Sequence, residues 1–168
     1  MVEINQKYEI LWDKENEDIF LGKVVHRIIA LKEIKDSDGK VIVQKREKGG
    51  FVEDYHNLSQ DGTSWIFDDA VVCDHALVCD DAKIFNEVVL RSHVTVSGLS
   101  KLYGETCACG CFEIRDKEIW TPVQITSMEV LNRILNMQYT DSAFKNENNR
   151  ELKSSLRLDP IEKSKTKS

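Results

Sequence analysis

Two histidines stand eighteen residues apart, His75 and His93, and eighteen further on stands Cys111. Imidazole and thiolate are zinc ligands, and zinc accepts two His and one Cys with a fourth position left open. An imidazole that titrates near about 6.5 can also act as a general base. The same spacing recurs in Asp69, Glu87 and Glu105, three carboxylates that would repel one another if stacked and would draw in a cation or a lysine. Lys83 and Lys101, themselves eighteen apart, lie near enough in sequence to serve. A third triplet is Phe67, Phe85 and Tyr103, with Trp65 beside it. Stacked aromatics lock the register of neighbouring strands, and when exposed as a strip they mark an interface. The run Cys107, Cys109, Cys111 is spaced CxCxC, unlike the CxxC pairs of zinc knuckles.

What places these residues at equal intervals is a repeat of six. From Trp65 to Asp116 the sequence reads IFDDAV, VCDHAL, VCDDAK, IFNEVV, LRSHVT, VSGLSK, LYGETC, ACGCFE, IRD, with an aliphatic residue or Ala in the first place and usually a small one in the fifth. A short fixed period is the mark of a solenoid, in which each unit buries its apolar face only against its neighbours. Three hexads make one triangular coil of a left-handed parallel β-helix, so residues eighteen apart fall on adjacent rungs about 4.8 Å apart. The predicted inward columns are Ile66, Ile84, Leu102; Val72, Leu90, Ala108; and Val78, Val96, Ile114, while the second place of each hexad points outward. Trp120 falls in line with the first column. The acidic corners, Asp68, Asp69, Asp74, Asp80, Asp81 and Glu87, would present charge in rows to a basic surface.

The expected fold class is all-β: a left-handed parallel β-helix of about three to four coils with a β-rich N-terminal cap and a short C-terminal helix. Residues 1–60 read as the cap, because short apolar runs alternate with polar turns such as Asp36-Ser-Asp-Gly39. A solenoid end is an open row of backbone groups that needs such a cover. Residues 61–122 form the β-helix and 123–139 the closing helix, with Thr126 and Glu129 at capping-box spacing and Val130, Leu131, Ile134 and Leu135 as its apolar stripe. Residues 140–168 are a mobile polar tail.

A chain of 168 residues with 41% hydrophobic content suits one domain. Its formal charge of −6 disfavours direct nucleic-acid binding, which draws on clustered Lys and Arg. No apolar run is long enough to span a membrane, and the N-terminus lacks the pattern of a secretory signal, so a cytoplasmic location is expected. The odd count of five cysteines, all inside the repeat, predicts reduced thiols.

The hexads resemble the hexapeptide-repeat left-handed β-helix superfamily, best known for trimeric acyltransferases that use acetyl-CoA or acyl carrier protein. The stretch GGFVEDYHNLSQDGTSWIFDDAVV, with HRIIALKEI before it, is similar to a short group of bacterial and phage proteins, some labelled transferases. That group shows a GG[FYW][IV]E…NLS…G…W[IV][YF]xxA signature. The acyltransferase resemblance implies a general-base His in a cleft between subunits, for which His75 and His93 are the repeat-borne candidates. No hexad is interrupted by a protruding loop, however, and so few coils offer little wall for a pantetheine arm. The expected function is therefore a non-catalytic protein-binding module without a cofactor, a phage-derived inhibitor or modulator of a host defence protein. Its expected contacts are Trp65, Phe67, Phe85, Tyr103, Asp69, Glu87 and Glu105, its partner a protein with a basic surface, and its own state a homo-oligomer. The alternative is a CoA-dependent acyltransferase using acetyl-CoA; a metal at His75, His93 and Cys111 is the remaining chemical option.

Overall fold

The third place of each hexad makes the corners. Asp68, Asp74, Asp80, Asn86, Ser92 and Asp116 take φ between 55° and 63°, and Gly98 and Gly104 take 66° and 74°. This left-handed region is one that Asp, Asn and Gly tolerate better than other residues. The side chains then staple successive rungs. Asp68 accepts from the Asn86 amide at 2.8 Å, Asp74 from Ser92 at 3.0 Å, Asp80 from Gly98 at 2.9 Å, and Asn86 from Gly104 at 2.8 Å. Three of the corner acids expected to face a partner are thus spent on the backbone of the next coil.

The computed structural model describes residues 6–120 and 122–138; the polar tail expected from residue 140 lies outside them. The N-terminal strands are β1 (Tyr8–Ile10), β2 (Glu17–Phe20), β3 (Lys23–Ala30), β4 (Ile34–Lys35), β5 (Val41–Val43) and β6 (Lys48–Val52). Strand β3 pairs antiparallel with β1, β2 and β6, while β4 and β5 form a separate two-stranded arm. The solenoid follows. One face holds β7 (Trp65–Ile66), β10 (Lys83–Ile84), β13 (Lys101–Leu102) and β16 (Glu118–Ile119). A second holds β8 (Val71–Val72), β11 (Val89–Ser92), β14 (Cys107–Gly110) and β17 (Gln124–Ile125), and the third β9 (Leu77–Val78), β12 (Thr95–Ser97) and β15 (Glu113–Arg115). All of these pair in parallel, giving a β-solenoid of about four turns.

Residues eighteen apart are partners through most of it: Ile66 with Ile84 and Leu102, Val72 with Leu90 and Ala108, Val78 with Val96 and Ile114. All nine are fully buried, as are Ala70, Ala76 and Ala82 at the narrow fifth place. Each large aliphatic contributes about 1.5–3 kcal/mol by leaving water. The last coil departs from the expected period. Ile119, not Trp120, pairs with Leu102, because the corner at Asp116 is one residue shorter and the spacing falls from eighteen to seventeen.

The two ends close differently. At the start, β6 pairs in parallel with β8, so the antiparallel cap sheet runs on into a solenoid face. Gly50 permits this: a Cβ there would stand 2.5 Å from the Ala70 carbonyl oxygen and 2.6 Å from Ile66 Cγ2. At the other end a helix covers residues 128–138. Its N-terminal cap is Ser127 rather than Thr126, with Ser127 Oγ accepting from the Val130 amide at 3.2 Å. Leu131 and Leu135 are buried against the last coil. Gln138 donates to the Glu118 carbonyl at 3.0 Å and accepts from the Trp120 amide at 3.1 Å, taking up groups that the final coil leaves open. Among the described residues no helix is long and apolar enough to cross a membrane.

Candidate functional site

Phe67, Phe85 and Tyr103 follow directly after the inward column Ile66, Ile84, Leu102, so they emerge on the outside of three successive rungs. Phe67 and Phe85 stack at 4.7 Å and 7°, Phe85 and Tyr103 at 4.7 Å and 8°. Phe85 is therefore covered by a ring on both faces and Phe67 and Tyr103 on one face each, and what points away from the solenoid is ring edge, the electropositive part of the π system. Trp65 does not belong to this exposed strip. It is fully buried, with Tyr8 set edge-on against it at 6.3 Å and 82°. The strand alternation does turn Trp65 away from the core, but strand β1 covers that side of the first coil, and Tyr8 Oη reaches the Leu58 carbonyl at 2.7 Å to hold it there.

Along the Trp65 column the cover thins. Lys83, its partner on the next rung, is 9% exposed, and Lys101 on the rung after that is exposed. Strands β4 and β5 lean over this side and leave an open groove of about 940 Å³, with Phe67 and Phe85 on one wall and Val41 and Ile42 on the other. Lys83 Nζ donates to Thr63 Oγ1 at 3.0 Å and to the Asp81 carbonyl at 2.7 Å. Burial, aided by the ammonium of Lys101, pushes its pKa down to about 8, against the pull of Asp81. Burial also pushes Lys7 down to about 8, with Lys83 adding to the effect; Lys7 Nζ donates to the Ser64 carbonyl at 2.8 Å and to Ser64 Oγ at 3.0 Å. The hydrogen bond from Thr63 holds the Asp81 carboxyl below the usual range.

Lys83 and Lys101 therefore do not serve the carboxylate column. Asp69 is met instead by Arg27, whose guanidinium reaches it at 2.6 Å, donates to the Asp68 and Gly49 carbonyls at 2.7 and 3.0 Å, and lies 4.2 Å over the Phe51 ring. Glu87 and Glu105 are exposed and have no ion-pair partner among the described residues.

At another corner His75 and His93 stack at 4.8 Å and 14°, and His56 extends the column at 6.0 Å and 37° from His75. His56 was hidden from a six-residue reading because it precedes the regular hexads by an odd interval, and its Nε2 donates to the Asp74 carbonyl. Stacked rings face each other and do not converge their nitrogens on one point. Among the described residues no three His, Cys, Asp or Glu side chains come together in a group that could hold a metal ion, and Cys111 is an exposed free thiol. None of the three histidines lines the groove. Asp74 is held below the usual carboxylate range by Lys23 at 2.9 Å, while burial pushes the Cys73 thiol up to about 11 and leaves it a poor nucleophile.

The groove is the feature that sequence reasoning missed. Its outer wall comes from the arm β4–β5, which carries no repeat, and nothing local in that arm says which solenoid face it overhangs. No protein-family model matches the sequence, and no match is found among curated proteins or among solved structures.

Proposed function

We propose that this chain is a non-catalytic protein-binding module built on a left-handed β-helix of the hexapeptide-repeat kind, and that the groove along Phe67 and Phe85 is the surface it offers. The observation that carries the reading is the aromatic ladder itself, three half-buried rings held parallel at 4.7 Å, two of which, Phe67 and Phe85, stand along one wall of an open groove. Rings fixed by their own stacking lose little further freedom on binding, which is what makes aromatic anchors effective contacts. A bacterial or phage origin, with a host defence protein as the target, is what the resemblance of the GGFVEDYHNLS…W stretch adds to the proposal. The five free thiols suit a reducing cytoplasm. A second copy of the chain is itself a protein partner that such a groove would accept, which keeps homo-oligomerisation within the proposal.

The test is site-specific photo-crosslinking in the native cell. Leu99 lines the groove and is 70% exposed, so a photo-reactive residue can replace it without disturbing the core. The expected result is a covalent adduct with a protein, lost when Phe85→Asp is introduced; an adduct at twice 19.3 kDa identifies the partner as a second copy. Absence of any protein adduct, or a rise in melting temperature with acetyl-CoA alone, overturns the reading in favour of a small-ligand site.

A further inference from the structure

Two amines lie buried on one side of the solenoid, and they differ in what they can do. Lys7 is 1% exposed, and its Nζ donates to the Asp61 carbonyl at 3.3 Å, the Ser64 carbonyl at 2.8 Å and Ser64 Oγ at 3.0 Å. Every proton of its ammonium is answered. Lys83 lines the groove, and its Nζ has two acceptors, Thr63 Oγ1 at 3.0 Å and the Asp81 carbonyl at 2.7 Å. That is as many as a neutral amine has protons to give. Its third position meets no acceptor, and no carboxylate lies within ion-pair distance of it, among the described residues.

Lys101 stands beside Lys83 on the paired strand, one spacing of about 4.8 Å away along the solenoid. Burial and a neighbouring cation are the two ways in which a lysine becomes a nucleophile near neutral pH, and both act here. At pH 7 an amine of pKa about 8 is neutral on the order of a hundredfold more often than one at 10.5. The charged groups that face it are Lys7, Lys101, Asp81 and Asp36. Phe85 follows Lys83 by two residues, so both emerge on the outer side of Ile84. Phe67 stacks on Phe85, and Val41 and Ile42 stand across the groove. The lining sets five lysines against four carboxylates, near balance, so it selects no ionic ligand, while its apolar walls suit a neutral one. Ring edges also favour a carbonyl oxygen.

We propose that Lys83 is a covalent capture site for a neutral aldehyde with an apolar body, held against Phe85 and Phe67 and joined to Nζ as an imine. The lone pair of Nζ attacks the carbonyl carbon to give a carbinolamine. The former carbonyl oxygen then leaves as water with both amine protons, and a C=N bond remains. The neutral product removes a buried charge and its repulsion with Lys101. Thr63 is half-buried and Asp81 exposed, so water replaces the donor that each loses. This site goes beyond the protein-binding reading and does not depend on it.

The experiment incubates the full chain with benzaldehyde or with acetaldehyde at about pH 7.5, in the presence of cyanoborohydride, which fixes an imine as a secondary amine. Peptide mapping by mass spectrometry then reads the labelling rate of each lysine. Benzaldehyde is expected to label Lys83 at least about tenfold faster than Lys101 or Lys7. The preference over Lys101 should narrow as the pH is raised to about 10, where ordinary lysines also lose their proton. Phe85→Ala should slow benzaldehyde at Lys83 about threefold or more and leave acetaldehyde unchanged. Circular dichroism confirms that this variant is folded, and the order of labelling in the unsubstituted chain decides the question without it. Equal labelling of Lys83 and Lys101, labelling of Lys7 as fast as Lys83, or a benzaldehyde rate indifferent to Phe85→Ala overturns the proposal. The crosslink through position 99 reports a protein partner alone, so either inference can fail while the other stands.

Discussion

Trp65, Lys83 and Lys101 occupy one position of the repeat on three successive rungs, and they live in three environments. Trp65 is fully buried under Tyr8, Lys83 is 9% exposed beneath the arm, and Lys101 faces solvent. The inward neighbours of the same residues, Ile66, Ile84 and Leu102, are all fully buried. A repeat specifies its interior coil by coil, because each rung packs on the next. Its exterior is specified by whatever lies over it, and here that cover is the non-repeating cap, which reaches over the first coils and leaves the later ones open.

The largest expected effect tests how the capped end is held. At Gly50 an added Cβ meets backbone, the Ala70 oxygen at 2.5 Å, so Gly50→Ala must lift β6 from β8 and open the seam between cap and solenoid. A loss of about 3 kcal/mol or more in chemical denaturation is expected. Gly39, at the tip of the arm, has φ 84° and nothing within 4 Å, so Gly39→Ala costs only about 1 kcal/mol of backbone strain. Equal costs at the two positions would mean that the cap is not seated by that close approach.

This contrast also separates what could be read from sequence from what could not. The aliphatic first place and small fifth place declare the core, because side chains of those volumes fit the inside of a triangular coil and few others do. The eighteen-residue column of Phe67, Phe85 and Tyr103 was equally legible, since stacking follows from register alone. Three things were not. The seventeen-residue final coil depends on a single shortened corner at Asp116, which leaves no mark in a pattern already fading. The corner carboxylates read as surface charge, although the positive φ at Asp68, Asp74 and Asp80 shows them as turn formers whose oxygens bind the next rung. The burial of Trp65 and Lys83 depends on contacts across more than fifty residues, such as Lys7 with Ser64, that no local period encodes.

A second test uses the cost of burying amines under the cap. Lys7 and Lys83 titrate near 8 when folded, against 10.5 for the ordinary side chain. Between those values the unfolded chain binds more protons than the folded one, so stability rises with pH through that window. Below about pH 8 both states are charged and the penalty is fully present. Tyr8 and Cys73, whose ionisation burial postpones, oppose the rise above about pH 9, where the unfolded chain begins to lose those protons first. The expected curve of unfolding free energy therefore climbs by about 1–3 kcal/mol from pH 7 to about 9 and rises more slowly beyond it. Lys83→Met should flatten the climb and Lys101→Met, on the open rung, should leave most of it. A flat curve in the unsubstituted protein would show that water reaches these amines and that the cap is loose over the second coil.

The smallest expected effect lies in the carboxylate column, where the two regions can be compared at one repeat position. Asp69 sits beside the cap and is bound by Arg27 at 2.6 Å, whereas Glu87 and Glu105 on the later rungs have no ion-pair partner among the described residues. The Asp69 side chain is still 65% exposed, so its pair with Arg27 is screened and worth at most about 1 kcal/mol. Arg27 keeps its two carbonyl acceptors and its place over Phe51 without Asp69, which limits the loss further. Asp69→Asn is therefore expected to lower the melting temperature slightly, and more so at low salt than at high. Glu87→Gln with Glu105→Gln removes like charges from adjacent rungs, so it should leave the melting temperature unchanged or raise it, again more at low salt. Opposite signs at low salt that converge at about 0.5 M are the expected pattern in thermal denaturation. If all three substitutions shift it in the same direction, the column behaves as one repulsive row and Arg27 does not tie the cap to the first coil through charge.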